Sequence, residues 1–191
     1  MIGRLLRKPL TWVLVAVLAA GATFGLYWFQ PWKLFTDKEV QEALPTVVES
    51  SGSASASPAA PTSPSGSPSA SPAGNRLLAT GSFITHEHDT SGAARLVRLA
   101  DGRHQLLLVG LRTSDGPDLR VWLSDQPVRS GEAGWRVFDD GRWVELGRLK
   151  GNRGNQVYEI PAGTDLETLR SVSIWCKRFA VSFGAAALRP A

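Results

Sequence analysis

The chain has 191 residues, a formal net charge of +4 at pH 7 and a single cysteine. The positive charges are scattered, without a basic stripe interleaved with aromatic residues, and this pattern argues against binding to nucleic acid. One cysteine excludes an intramolecular disulfide, and there is no C-x-x-C-H motif for covalent attachment of a c-type haem. The composition changes abruptly at two places, so the chain divides into an apolar segment, a low-complexity segment and a folded domain.

The first predicted element is an apolar helix over residues 10–29, which contain neither a charged residue nor a proline. At about 1.5 Å per residue it is about 30 Å long, which matches the hydrocarbon core of a bilayer. Arg4, Arg7 and Lys8 precede it, and basic residues favour the cytoplasmic side of a membrane. We therefore predict a single-pass signal-anchor helix in the plasma membrane, with residues 1–9 in the cytoplasm and the rest of the chain outside the cell.

A cleaved signal peptide is the alternative for this segment, because Ala20-Gly21-Ala22 resembles a signal-peptidase site. The apolar run continues past this triplet, beyond the usual length of about 7–15 residues for the apolar region of a signal peptide. The length of the run therefore favours an uncleaved anchor.

Residues 30–75 connect the anchor to the folded domain in two parts. The juxtamembrane part, residues 30–49, contains LFTDKEVQEAL, which is compatible with a short helix. Residues 50–75 consist almost entirely of Ser, Gly, Ala, Pro and Thr, and such a segment has too little apolar surface to offset the entropy of ordering. We predict a disordered linker that acts as a tether and lifts the domain off the membrane.

The outer domain, residues 76–191, is predicted to be all-β. Short alternating or apolar runs are separated by turn residues, and Asp101-Gly102 and Asp140-Gly141 each lie between two such runs. Asp-Gly in this setting is a strong signal for a β-hairpin. Many short strands with turns about every 8–12 residues indicate an antiparallel β-sandwich or a barrel-like domain.

The cysteine, Cys176, ends one of these predicted strands. Side chains alternate along a strand, so Cys176 shares a face with Val172 and Ile174, while Trp175 takes the other face. Two interpretations stay open. Free cysteine is often a buried packing residue; alternatively it is a reactive thiol, whose ionised form Arg178 at the following bend would favour.

Four stretches of the outer domain carry a family likeness: GSFITHEHDTSGAARLV (81–97), DGPDLRVWLS (115–124), LGRLKGNRGNQVYEIP (146–161) and SVSIWCKRFAVSFGAAAL (171–188). Together and in this order they resemble the DM thirteen family, a small extracellular module classed as an electron-transfer domain. The resemblance implies that Cys176 does redox work, as a bare thiol or as the ligand of a prosthetic group such as haem. Asp118, Trp175 and Arg178 are the residues we expect to support it: Asp118 as a turn cap, and Trp175 as a core aromatic or the wall of a cofactor slot.

A metal site is a weaker hypothesis. His86 and His88 lie on one face if this segment is extended, a geometry that suits copper or zinc. The initiator is the only methionine, so the thioether that usually completes a blue-copper site is absent. The same residues are also typical of an exposed polar turn. The cofactor is thus left open between haem, copper and none.

Two functions follow from these observations. The first is electron transfer or thiol redox chemistry through Cys176, within a relay that includes an unidentified redox partner and not as a self-contained enzyme, because no second cysteine resolves an intermediate. The second is a non-redox binding module that displays loops 112–118 and 125–142 to a wall polymer or a partner protein.

Overall fold

The computed structural model describes residues 9–47 and 74–191. The predicted cytoplasmic N-terminus lies outside this part except for Pro9, and so does the predicted linker, residues 50–75, except for Gly74 and Asn75. Nothing in the structure therefore bears on the order of that linker.

The apolar helix is confirmed as α1, Pro9–Phe29, which begins at a proline, a residue suited to a first helical position. None of its residues is buried against the rest of the protein. Among the described residues it is the one helix that is long and apolar enough to cross a membrane. Gln30 follows with a left-handed φ of 45°, and a short 3₁₀ helix over Pro31–Phe35 turns the chain towards the β-strands.

The described residues form ten strands in a single curled sheet, with the order β1-β7-β4-β3-β2-β9-β8-β5-β6 and β10 paired to β2. Every pairing is antiparallel except that of β1 with β7. The sheet closes on itself far enough for β6 to contact β7. The all-β prediction is confirmed, in its barrel-like form. The strands are β1 Glu39–Gln41, β2 Arg76–Thr85, β3 Ser91–Arg98, β4 His104–Arg112, β5 Leu119–Ser124, β6 Trp143–Arg148, β7 Arg153–Ile160, β8 Ser171–Cys176, β9 Val181–Ala187 and β10 Arg189–Pro190.

The two predicted hairpins have different outcomes. Asp101-Gly102 joins β3 to β4 as expected, and Gly102 has the positive φ, 88°, that the turn requires. The hairpin at Asp140-Gly141 is wrong, because the residues before it form no strand. Residues 125–142 are instead a loop that crosses the outer face of the sheet and buries Phe138 completely.

This loop creates a second apolar cluster and explains why strand β8 is buried along its whole length. The inner core fills the concave side of the sheet and includes Val172, Ile174 and Cys176. The outer cluster, on the opposite face, consists of Trp122, Phe138, Trp175 and Ala185, with Val128 and Val137 packed against it. With both faces covered, all six residues of β8 are buried.

The described part of the predicted juxtamembrane segment, residues 30–47, is not helical beyond the 3₁₀ turn. Residues 39–41 form β1, which pairs in parallel with β7 from Glu39 opposite Arg153 to Gln41 opposite Asn155. Without β1, the edge of β7 would leave a row of main-chain hydrogen-bonding groups unpaired. Pairing of β1 with these groups outweighs the helical tendency of its sequence. The sheet thus includes residues that the sequence analysis placed outside the domain. We call the described residues from Asp37 onward the β-domain.

Hydrogen bonds and an ion pair that involve side chains hold β1 in the sheet. The Glu42 carboxylate lies 2.8 Å from the Lys150 ammonium and accepts a 2.6 Å hydrogen bond from the Val157 amide. The Lys38 amide donates to Asn152 Oδ1 over 2.6 Å. Gly154 has a φ of 100°, and a Cβ there would collide with the Val40 carbonyl, so the close approach of β1 depends on this glycine.

Candidate functional site

Cys176 ends β8 in the inner core, opposite Leu119 of β5 and Val181 of β9. It shares its face with Val172 and Ile174, as the alternation predicts, and its exposed fraction is 0%. The sulfur is therefore sealed from solvent in this conformation. A reagent or a partner's disulfide has no path to it without movement of the surrounding chain.

Burial raises the pKa of the Cys176 thiol. The main-chain amides of Phe179, Arg178 and Asp118 favour the thiolate and lower this pKa, but their effect is smaller, and the negative charge of Glu87 raises the pKa further. Cys176 is consequently a neutral thiol at neutral pH.

A tight turn over residues 177–180 supplies two of these amides. The Phe179 amide donates to the Cys176 carbonyl over 3.3 Å, and the Lys177 amide donates to the Asp118 carbonyl over 3.0 Å. Ala180 has a left-handed φ of 49°, which is unusual for a residue with a side chain. Arg136 donates to the carbonyls of Phe179 and Ala180 and holds the turn from outside.

The side chains expected to support Cys176 contact other residues instead, and Trp175 is a core aromatic, which was one of its two interpretations. The guanidinium of Arg178 is directed to the end of α1, where it donates to the Trp28 carbonyl over 2.6 Å, and so only its amide serves the sulfur. The carboxylate of Asp118 accepts from Arg120 Nε over 2.8 Å and does not cap its turn; Asp115 does, through a 2.7 Å bond from the Gly116 amide. Trp175 lies in the outer cluster, on the face away from the sulfur.

A row of stacked tryptophans leads from the surface to Trp175. Trp143, which is 40% exposed, stacks on Trp122 with a centroid distance of 4.0 Å and an interplanar angle of 3°. Trp122 stacks on Trp175 at 5.0 Å, and Phe138 packs edge-on against Trp175 at 6.3 Å. The sequence analysis missed this row, because the order and register of β6, β5 and β8 are needed to find it.

The two histidines do not form a metal site. His86 is only 4% exposed, which also contradicts an exposed turn. Its Nε2 donates to the Arg129 carbonyl over 3.0 Å, so Nδ1 is the acceptor for Ser182 at 2.9 Å and neither nitrogen is left for a metal. His88 turns to the other side, where its ring packs against that of Phe183 at a centroid distance of 3.9 Å and an interplanar angle of 36°. The described residues contain no group of three or more His, Cys, Asp or Glu side chains that could hold a metal ion.

The buried histidine makes stability depend on pH. Burial lowers the pKa of His86 below its ordinary value of 6.5, although the hydrogen bond to Arg129 opposes this, and burial lowers the pKa of His88 as well. Below about pH 6.5 the unfolded chain therefore binds protons that the folded chain does not, and the free energy of unfolding falls. We expect urea unfolding to show this loss between about pH 7.5 and 5, and His86→Gln to reduce its slope. Equal slopes in the two proteins would contradict the assignment to His86.

Three cavities in the described part of the chain bear on a haem site. One of them, about 600 Å³, is lined by Leu78, Leu96, Leu166 and Leu188 among others and by no His, Cys or Met. It lies towards the start of β8, beside Arg170, whereas Cys176 ends that strand. Cys176 lines neither this cavity nor the two other cavities described below. The residues present therefore do not fit a haem ligated by Cys176, and they do not fit copper held by Cys176 with His86 and His88.

Comparison with known proteins adds the family. A family model described as electron transfer DM13 matches residues 82–188, a region that includes the Cys176 turn and all three stacked tryptophans. No curated protein and no solved structure matches the chain. Because the matched region covers more than half of the 191 residues, this chain belongs to the electron transfer DM13 family.

Proposed function

We propose that this protein is a membrane-anchored electron-transfer module that holds its β-domain outside the cell and uses Cys176 as the redox-active residue. Membership of the DM13 family supports electron transfer. The length and apolar composition of α1 support the anchor, and the basic residues before it support a cytoplasmic N-terminus. The plasma membrane is the compartment that fits these features.

The observation that carries the role of Cys176 is the row of stacked rings Trp143, Trp122 and Trp175, which leads from the surface to the residue next to Cys176 in the chain. A sealed thiol cannot exchange disulfides in the resting fold, whereas an electron needs no solvent path. We therefore assign single-electron transfer. The neutral thiol gives one electron to a one-electron oxidant, such as a metal centre of a partner protein. It gives one proton to Glu87, the carboxylate whose negative charge raises the pKa of the thiol. The amides stabilise the negative charge when the proton leaves before the electron.

The tryptophan row supports a route for that electron. Trp143 is exposed at the surface, and the stack ends at Trp175, which is joined to Cys176 by a peptide bond. An electron can pass in successive steps through stacked indole rings, and the covalent link from Trp175 to Cys176 connects the two faces of β8. A partner that docks against β6 would therefore exchange an electron with the sulfur without touching it.

The binding module is the second candidate, and the burial of the sulfur favours it. An open cavity of about 550 Å³ beside Trp143 is lined by Arg142, Asp165 and Thr168. An exposed aromatic ring with nearby polar groups is a common arrangement at binding sites. In that case Cys176 only packs the core.

Titration of the full chain in detergent with a one-electron oxidant separates these functions. We expect the wild type to consume one more equivalent of the oxidant than Cys176→Ala does. A sulfur-centred radical should be trapped only in the wild type. Trp143→Phe is expected to slow the reaction without changing the number of equivalents. Equal consumption by the wild type and a folded Cys176→Ala protein would refute the redox role and leave the binding module, and a haem or copper absorbance band would refute the bare thiol.

A further inference from the structure

The end of α1 is bound directly to the turn that carries the Cys176 amides. Arg178 donates to the carbonyls of Tyr27 and Trp28, and its guanidinium lies 5.3 Å from the centre of the Trp28 ring. The last carbonyls of a helix have no partner within the helix and carry partial negative charge, so a cation is favourable there. Phe29 stacks on Phe179 with a centroid distance of 5.7 Å. The helix and the turn therefore form one junction.

Contacts after the helix hold the β-domain at the same place. The Lys33 ammonium donates to the Gly116 carbonyl over 3.0 Å and lies 3.8 Å from the Asp115 carboxylate. Only a few residues later the chain enters β1. The Ser/Ala/Pro/Gly-rich segment comes after β1, and Asn75 at its far end donates to the Thr46 carbonyl over 3.0 Å. The described residues on the two sides of this segment, Thr46 and Asn75, are thus in contact with each other.

A cavity of about 220 Å³ lies at this junction. Three phenylalanines form its apolar wall: Phe29 from α1, Phe179 from the turn and Phe183 from β9. His88 is half-buried beside them, and its ring nitrogens have no hydrogen-bond partner among the residues that the structure describes. Lys33, Glu87 and Asp115 complete the lining. The acidic groups outnumber the basic one, which disfavours an anionic ligand.

We propose that this cavity binds the ring of a lipid-soluble quinone that enters from the membrane; this inference rests on the proposed function and deepens it by naming the class of its small-molecule ligand. The volume is below the usual range of about 300–1,000 Å³ for ligand sites, so it suits one substituted ring and is too small for a haem. Aromatic walls stack on such a ring, and the His88 N–H can donate to a quinone carbonyl. An opening beside the last residue of an apolar helix is where a molecule leaving a bilayer arrives.

The position of the cavity connects it to Cys176. Phe183 lines the cavity and belongs to the inner core that contains Cys176, and Phe179 lines the cavity and packs against that core. Glu87 lines the cavity and its charge raises the pKa of Cys176. A ring held there therefore contacts the inner core, whereas Trp175 lies in the outer cluster on the other face of β8.

The test uses the full chain in lipid nanodiscs and a decyl-tailed benzoquinone, with quenching of tryptophan fluorescence as the readout. We expect saturable quenching in the wild type. His88→Leu removes the donor but keeps the bulk and should weaken binding about tenfold, the cost of one lost hydrogen bond. Phe29→Ala removes a stacking wall at a residue that is 60% exposed, so it should weaken binding without loss of folding.

Two control variants make the outcome decisive. Phe24→Ala removes a similarly exposed ring from the same helix, away from the cavity, and should bind like the wild type. Cys176→Ala should also bind like the wild type, so the quinone site can stand even if the redox role of the thiol fails. Quenching that does not saturate, or that is the same in His88→Leu and Phe29→Ala as in the wild type, shows partition into lipid only and overturns the proposal.

Discussion

Replacement of Phe138 with alanine is expected to lower the free energy of unfolding by about 3–5 kcal/mol. Phe138 is completely buried in the outer cluster, where its ring contacts Trp175 and stacks on His86 at 5.9 Å. Its carbonyl also accepts a hydrogen bond from Ser124. Loss of the ring leaves a cavity between the loop 125–142 and the sheet, and a loop can close that gap only in part.

Urea unfolding of the purified protein measures this effect, and Asp139→Ala is the matched control. Asp139 is an exposed neighbour in the same loop, so its replacement should change the free energy of unfolding by no more than about 0.5 kcal/mol. The two variants together separate burial of the ring from general sensitivity of the loop. A change below about 1 kcal/mol in Phe138→Ala would mean that the loop does not cover the sheet as described.

A chain that begins at residue 76 is expected to be less stable than one that begins at residue 37, by about 2–4 kcal/mol. The shorter chain lacks β1 and the hydrogen bonds made by Lys38 and Glu42, so Asn152 and Lys150 lose the partners that this segment provides. Each such bond contributes about 1 kcal/mol net, and ordering the segment offsets part of the sum. The free edge of β7 should also make the shorter chain more prone to aggregation.

Thermal and urea unfolding of the two chains measure the difference, and Gly154→Ala in the longer chain provides an independent route to the same state. Its added Cβ meets the Val40 carbonyl at a residue whose φ is 100°, so β1 cannot dock while its sequence is unchanged. We expect this variant to resemble the shorter chain. Equal stability of all three proteins would show that β1 is not part of the domain in solution.

The properties that could be predicted from the sequence are local ones. The helix over residues 10–29 follows from an unbroken apolar run, and the turn at Asp101-Gly102 from a glycine able to adopt a positive φ. The inward direction of Cys176 follows from strand alternation, which needs only the residues on either side. Such features depend on neighbours within a few positions, and the structure has each of them.

The surroundings of Cys176 could not be predicted, because they come from distant parts of the chain. The amides that lower its pKa belong to the following turn and to Asp118, the residue before β5. The guanidinium of Arg178 is hydrogen-bonded to the end of a helix about 150 positions earlier in the chain. His86 and His88 point in different directions because His86 is hydrogen-bonded to Ser182 and Arg129, whereas His88 packs against Phe183. The direction of a side chain at a bend is decided by the partner it meets.

By itself the sequence determined an apolar helix long enough to cross a membrane, an all-β domain and one inward-facing thiol, since hydropathy and backbone preferences act over short distances. Tertiary structure alone decided that the juxtamembrane residues join the sheet as β1, that three tryptophans stack in a row, and that the end of α1 seals the turn beside the sulfur. These arrangements depend on strand order and on which surfaces meet. Contacts between residues far apart in the chain set both, and no local pattern encodes them.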